Sequence, residues 1–190
     1  DKILINHIKT SISLSEEELS EITLFFDYHS YNKKEKLLIA EKRCDKLFFV
    51  AKGCLQLYFI DNLGNNKTTQ FAIENWWLTD FLAFQNQKPS NFYIETVENS
   101  KVLSISFLKY QELLVKFPKM EAYFRTIYQT AYGSSLMRLK YINSYSKEDM
   151  FFRFRADFPE FVQRVPQYLL ASFLGLTPEY LSEIKRNRRV

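Results

Sequence analysis

The sequence predicts an α+β protein in which a β-rich N-terminal half is followed by helices that end in a compact helical hairpin. Three observations carry this reading. Short segments rich in Leu, Ile, Phe, Val and Thr recur between residues 36 and 106, separated by polar turns. A proline-free run from Lys119 to Ser144 repeats apolar residues three and four apart. The stretch Val165–Val190, VPQYLLASFLGLTPEYLSEIKRNRRV, then reads as two short helices joined by a tight turn. A chain that is 46% hydrophobic, with only four Gly and five Pro, can build a proper core and is not low-complexity. Its net charge of +4 is mild, and with a local basic cluster this suits a sequence-reading module better than a non-specific coat.

Taken in order, Ser13 to Ser30 predicts a helix. Ser13 or Ser15 can cap it, Glu16 to Glu18 sit near its N-terminus, and Leu19, Ile22, Phe25 and Phe26 recur at helical spacing. After Asn32 the pattern becomes strand-like: Lys36–Ala40, Leu47–Ala51, Leu55–Ile60, Thr68–Ile73, Phe92–Val97 and Val102–Ser106. Alternation is clearest where Leu55, Leu57 and Phe59 oppose Gln56, Tyr58 and Ile60. The turns Lys52-Gly53 and Asp61 to Asn66 are rich in Gly, Asn and Asp, as hairpin connections are. Short strands at regular spacing predict an antiparallel sandwich or barrel.

Leu108–Phe117 predicts a short helix ended by Pro118. In the long helix that follows, Met120, Phe124, Ile127, Ala131, Ser135, Arg138 and Ile142 form one stripe. Tyr123, Tyr128, Tyr132, Leu136 and Leu139 fill the neighbouring one. So broad an apolar band exceeds what packing on one sheet requires, and predicts contact with an identical helix across a two-fold axis. Asn143 to Lys147 breaks the run, Ser146 caps a helix over Lys147–Asp157, and a domain boundary falls near Tyr145.

In the terminal motif Gln167–Leu174 is the first helix, with Leu170 and Leu174 four apart beside small Ala171. Gly175 supplies the left-handed residue that ends it, and Leu176 fills the corner. Thr177 caps the second helix, with Pro178 at its first position and Glu179 in the first turn. Leu181 and Ile184 continue the buried face, while Lys185, Arg186, Arg188 and Arg189 crowd the end. A helix of this kind enters the major groove. Thr177, Glu179, Tyr180, Ser182 and Glu183 would then meet the DNA from its outer face, with Lys185, Arg186, Arg188 and Arg189 on phosphates.

The order of these parts resembles the Crp/Fnr superfamily of transcription regulators over nearly the whole chain. The resemblance is carried by KGCLQLYF (Lys52–Phe59), by Asn75–Ser106, by the helix after Pro118, and by LLASFLGLTPEYLSEIKR (Leu169–Arg186). It implies a double-stranded β-helix, or jelly roll, of the cyclic-nucleotide-binding type over residues 1–118. A dimerisation helix over 119–145 and a winged helix-turn-helix over 146–190 would follow. It further implies a homodimer on a palindromic double-stranded DNA site, with RNA polymerase as downstream partner and a small-molecule effector.

The chain departs from the superfamily's phosphate cassette, in which Gly-Glu is followed by Arg-Ser. Here Thr79-Asp80 and Ser90-Asn91 stand at those pairs. Asp80 can accept from a ribose, but Ser90 cannot neutralise a phosphate. The expectation is a pocket around Asp80, Ser90, Asn91 and Ser135 that does not take cyclic AMP but takes a different small ligand, or none. In many relatives an arginine stands where this chain has Glu183, a carboxylate suited to cytosine N4.

Other chemistries find little support. An iron–sulfur cluster needs four thiolates, and only Cys44 and Cys54 are present, without CxxC spacing. His7 and His29 read as N-terminal histidines outside the barrel strands, so neither a haem ligand nor the metal set of a jelly-roll enzyme is expected. No catalytic set, metal or cofactor is expected. No apolar run approaches the ~20 residues of a membrane span, no signal peptide is visible at Asp1, and two cysteines without a disulfide framework make reduced thiols in the cytoplasm the expectation. The alternative is a ligand-binding or protein-interaction module of the same fold without DNA function.

Overall fold

The computed structural model describes residues 2–187. Two short helices lead the chain. α1 (Lys2–Lys9) buries Leu4 and Ile8. α2 (Glu16–Thr23) opens with a capping box in which Ser15 accepts from the Glu18 N–H and the Glu18 carboxylate accepts from the Ser15 N–H. The helix expected to reach Ser30 therefore stops at Thr23. Residues Asp27–Tyr31 form β1 instead, antiparallel to β8 (Ser100–Ser106). The helical spacing of Phe25 and Phe26 is overridden here by pairing with a strand some seventy residues away.

Between them lie β2 (Lys36–Leu38), β3 (Lys46–Lys52), β4 (Leu55–Ile60), β5 (Asn66–Ala72), β6 (Trp77–Leu78), helix α3 (Phe81–Asn86) and β7 (Tyr93–Thr96). The strands form two four-stranded antiparallel sheets, one ordered β1-β8-β3-β6 and the other β2-β7-β4-β5. Leu47, Phe49, Leu55, Leu57, Ile94, Leu103 and Ile105 are buried within the roll's core. In β4 the expected alternation of buried and exposed residues is absent, because Gln56 and Tyr58 are as buried as their neighbours. Both faces of β4 are therefore covered over residues 55–58.

α4 (Phe107–Lys116) and α5 (Lys119–Ser144) follow. Met120, Tyr123 and Phe124 seat the first turns of α5 on the roll, where Trp77 meets Phe49, Tyr123 and Phe124 ring to ring. Beyond Phe124 no residue of α5 is fully buried. Tyr132 is 68% exposed and Leu139 56%, with Leu136, Met137 and Ile142 also in the open.

The chain then folds into α6 (Lys147–Asp157, capped by Ser146), α7 (Pro159–Arg164), α8 (Gln167–Leu174) and α9 (Pro178–Asn187). α7 is not expected from the sequence, where Pro159 reads as a terminator; it stands at the first position of a new helix instead. Met150, Phe151, Val162, Leu170, Ala171, Leu174, Leu176, Leu181 and Ile184 form a second core. A third cluster, Cys54 and Val97 with Val165 and Leu169, joins the two halves. No strand accompanies α6–α9 among the described residues.

Candidate nucleic-acid interface

The α8–α9 pair is built as a helix-turn-helix. Gly175 adopts φ 70°, ψ 28°, the left-handed region, and its N–H turns back to the carbonyls of Ala171 and Ser172. The Leu176 N–H bonds the Ala171 carbonyl at 2.8 Å. Both bonds satisfy carbonyls that the end of α8 leaves open. Leu176 buries itself at the corner. Thr177 Oγ1 accepts from the Tyr180 N–H at 3.2 Å, so it caps α9 as its sequence position predicts. Ala171 is fully buried in the core that α8 and α9 share, where a larger side chain would hold the two helices apart.

α9 then divides cleanly. Leu181 and Ile184 face the core. Thr177, Glu179, Tyr180, Ser182, Glu183 and Arg186 are all exposed. Ser182 spends its proton within the helix, on the Pro178 carbonyl at 2.9 Å, and offers its lone pairs outward. Lys185 differs from the others. Its ammonium donates to Gln167 Oε1 at 2.5 Å and lies over the Phe151 ring, tying α9 to the first residue of α8. Arg188 and Arg189 lie outside the described residues.

The expected ligand cassette is brought together only in part. Asp80 caps α3 through the Ala83 N–H at 3.1 Å, and its second oxygen accepts from Ser90 Oγ at 2.8 Å. Ser90 is buried and also accepts from the Phe92 N–H. Asp80 and Ser90 thus satisfy each other. Asn91 and Lys88 are exposed. Ser135 is on α5 and bonds its own helix at Ala131. It lines an open groove of about 440 Å³ with Gln70, Phe81, Gln85, Tyr128 and Tyr132, and no ionisable carboxylate or basic group lines it.

The remaining sensor chemistries can be weighed at their residues. Cys44 and Cys54 are fully buried; burial pushes both thiols up, Cys54 to about 12, so neither is a ready thiolate. His29 corrects the expectation that no histidine lies in the barrel, since it sits in β1 opposite Val102. Its strand assignment was hidden by the helical spacing before it. Among the described residues no group of three or more His, Cys, Asp or Glu could hold a metal. No helix among them is long and apolar enough to cross a membrane.

At the junction of the halves stand residues to which the sequence assigns no such role, Arg138 being expected only as part of the α5 stripe. Arg138 of α5 donates to the Phe173 carbonyl at 2.8 Å and lies 4.8 Å over its ring, while its Nε is buried without a partner. Arg164 and Ser172 join the C-terminal helices to the roll.

No family model and no curated protein matches the sequence. The fold does match solved structures. The regulator CLP of Xanthomonas campestris, described as c-di-GMP responsive, aligns with a TM-score of 0.75 at 11% identity, over 91% of each chain. FixK2 of Bradyrhizobium japonicum aligns at 0.71 and 12% identity, over 85% of this chain and 83% of that one. A CooA mutant of Carboxydothermus hydrogenoformans aligns at 0.67 and 15% identity, over 95% and 82%. The chain has the Crp/Fnr-type fold.

Proposed function

We propose that this protein is a DNA-binding transcription regulator that reads a palindromic site as a homodimer. The observation that carries the reading is α9 itself. Its apolar face is consumed by the core, and the opposite face presents Glu179, Tyr180, Ser182, Glu183 and Arg186 to solvent behind a Thr177 cap. That is the surface a recognition helix needs, with base-reading groups early and cations late. Glu183 reads a cytosine amino group, and Arg186, Arg188 and Arg189 bind phosphates, with Lys185 adding charge from its place beside Gln167. Dimerisation is supported by the exposed stripe of Tyr132, Leu136 and Leu139 at i, i+4 and i+7 of α5. On this reading residues 1–118 form the sensory roll, 119–145 the dimerisation helix and 146–190 the reading head.

The effector is a small molecule other than a cyclic nucleotide, because the Asp80–Ser90 pair closes on itself and supplies no positive charge. RNA polymerase is the downstream partner, the cytoplasm the location, and no catalysis is involved. The test is selection of genomic fragments bound by the full chain, followed by titration of the recovered duplex at increasing salt. A palindrome with half-sites one helical turn apart is expected, with affinity falling steeply as salt rises. Recovery of no common sequence, or affinity indifferent to salt, sinks the reading.

A further inference from the structure

α8 has two working faces. Leu170, Ala171 and Leu174 enter the core of their own half. Leu169, Ser172 and Phe173, at i, i+3 and i+4, face the roll. β5 is the edge strand of the second sheet, so the polar groups on its outer rim need partners. Ser172 Oγ supplies them, accepting from the Thr68 N–H at 2.9 Å and donating to the Asn66 carbonyl at 2.9 Å. Alongside, Phe71 stands between Phe161 and Phe173, with ring centroids 5.1 and 5.3 Å away.

Arg164, at the end of α7, closes the same contact from the other side. Its guanidinium forks onto Glu74 with two bonds of 2.9 Å and reaches Glu98 through Nε at 2.9 Å. Glu74 is held in turn by the Gly53 N–H at 2.7 Å. Burial pushes the Glu74 carboxyl up, but the Arg164 and Gly53 hydrogen bonds outweigh it and bring it down to about 2.

Arg164 lies three residues before the start of α8, and the first helix of a helix-turn-helix crosses the DNA backbone. A guanidinium fork matches a carboxylate and a phosphate equally well. The two roll carboxylates therefore occupy the group that a phosphate would seek. The arginine side chain is 30% exposed and each carboxylate 36%, so a polyanion can reach and compete for it.

We propose that this contact is an autoinhibitory clasp, in which Glu74 and Glu98 stand in for DNA phosphates at Arg164 and DNA displaces them, releasing α8 from β5. It rests on the DNA-binding reading above. The Thr68 amide reports the clasp, since its proton is held by Ser172. Hydrogen exchange of the full chain, with and without the selected duplex, is expected to show that amide losing protection when DNA binds. In addition, Glu74→Gln with Glu98→Gln is expected to tighten DNA binding by roughly 3- to 10-fold, the range that partly exposed ion pairs can shift an equilibrium. Phe71→Ala, which loosens the uncharged part of the contact, is expected to tighten it in the same direction. If the duplex binds while Thr68 stays protected, the clasp is wrong and the DNA reading stands. If the glutamine pair tightens binding and Phe71→Ala does not, the effect is general charge and the clasp is again wrong. If no variant binds any duplex, both proposals fall together.

Discussion

Trp77 has an indole N–H that can only donate, and it donates to the Tyr123 hydroxyl at 2.8 Å. The Tyr123 proton is then available to His7 Nδ1, also 2.8 Å away, when the ring is neutral with that nitrogen bare. One chain of contacts thus ties α1, the roll and α5 together and accommodates a neutral His7. Burial agrees with it, holding the His7 pKa below its ordinary 6.5. The sign follows from linkage. The unfolded chain takes up a proton at His7 before the folded one does, so the contribution to stability is complete above 6.5 and is lost as pH falls toward the folded value. Denaturation midpoints of the wild type are expected to fall more steeply than those of His7→Gln between about pH 7.5 and 5.5, the interval spanning an ordinary histidine. Parallel slopes for the two proteins would show that His7 does not contribute.

Among elements, the turn from β3 to β4 shows how much a single position can govern. Gly53 sits at φ 107°, and a Cβ there would lie 2.2 Å from Ser100 Oγ and 2.7 Å from the Ser100 Cα. The obstruction includes backbone of β8, which cannot swing aside. Gly53→Ala is expected to cost roughly 2–4 kcal/mol in chemical denaturation, combining backbone strain with overpacking. A change below ~0.5 kcal/mol, typical of an unconstrained surface site, would show that the turn tolerates a side chain. Elements whose signals are local were legible in the sequence. α5, α6, α8 and α9 fall where spacing and caps put them, because Ser146, Gly175 and Thr177 act on their immediate neighbours. β1 and β6 were not legible, since each is defined by pairing with a distant strand. The same limit explains the candidate site. The outer face of α9 could be read from Leu181 and Ile184, whereas Arg164 and Ser172 acquire meaning only from partners 66 to 106 residues away.

At the scale of the whole molecule, the unresolved need is a cover for α5. Tyr132, Leu136, Leu139 and Ile142 leave an apolar stripe in water along the half of the helix that leads to α6–α9. The roll buries only its first turns, and α6–α9 meet it through Arg138 at the Phe173 carbonyl and through Tyr141 at Asp157. A second copy of the same stripe, related by two-fold symmetry, would bury it and place two α9 helices on one face, matching a palindrome. Sedimentation of the wild type is therefore expected to give a dimer, and Leu136→Glu with Leu139→Glu a folded monomer, because like charges would meet at the axis. Coupling two half-site contacts multiplies affinity without any new bond, so the monomer is expected to bind the palindrome roughly 100-fold more weakly or worse. Its affinity for an isolated half-site should barely change, since α9 is untouched. A variant that remained dimeric, or that lost both sites equally, would mean that α5 is not where the copies meet.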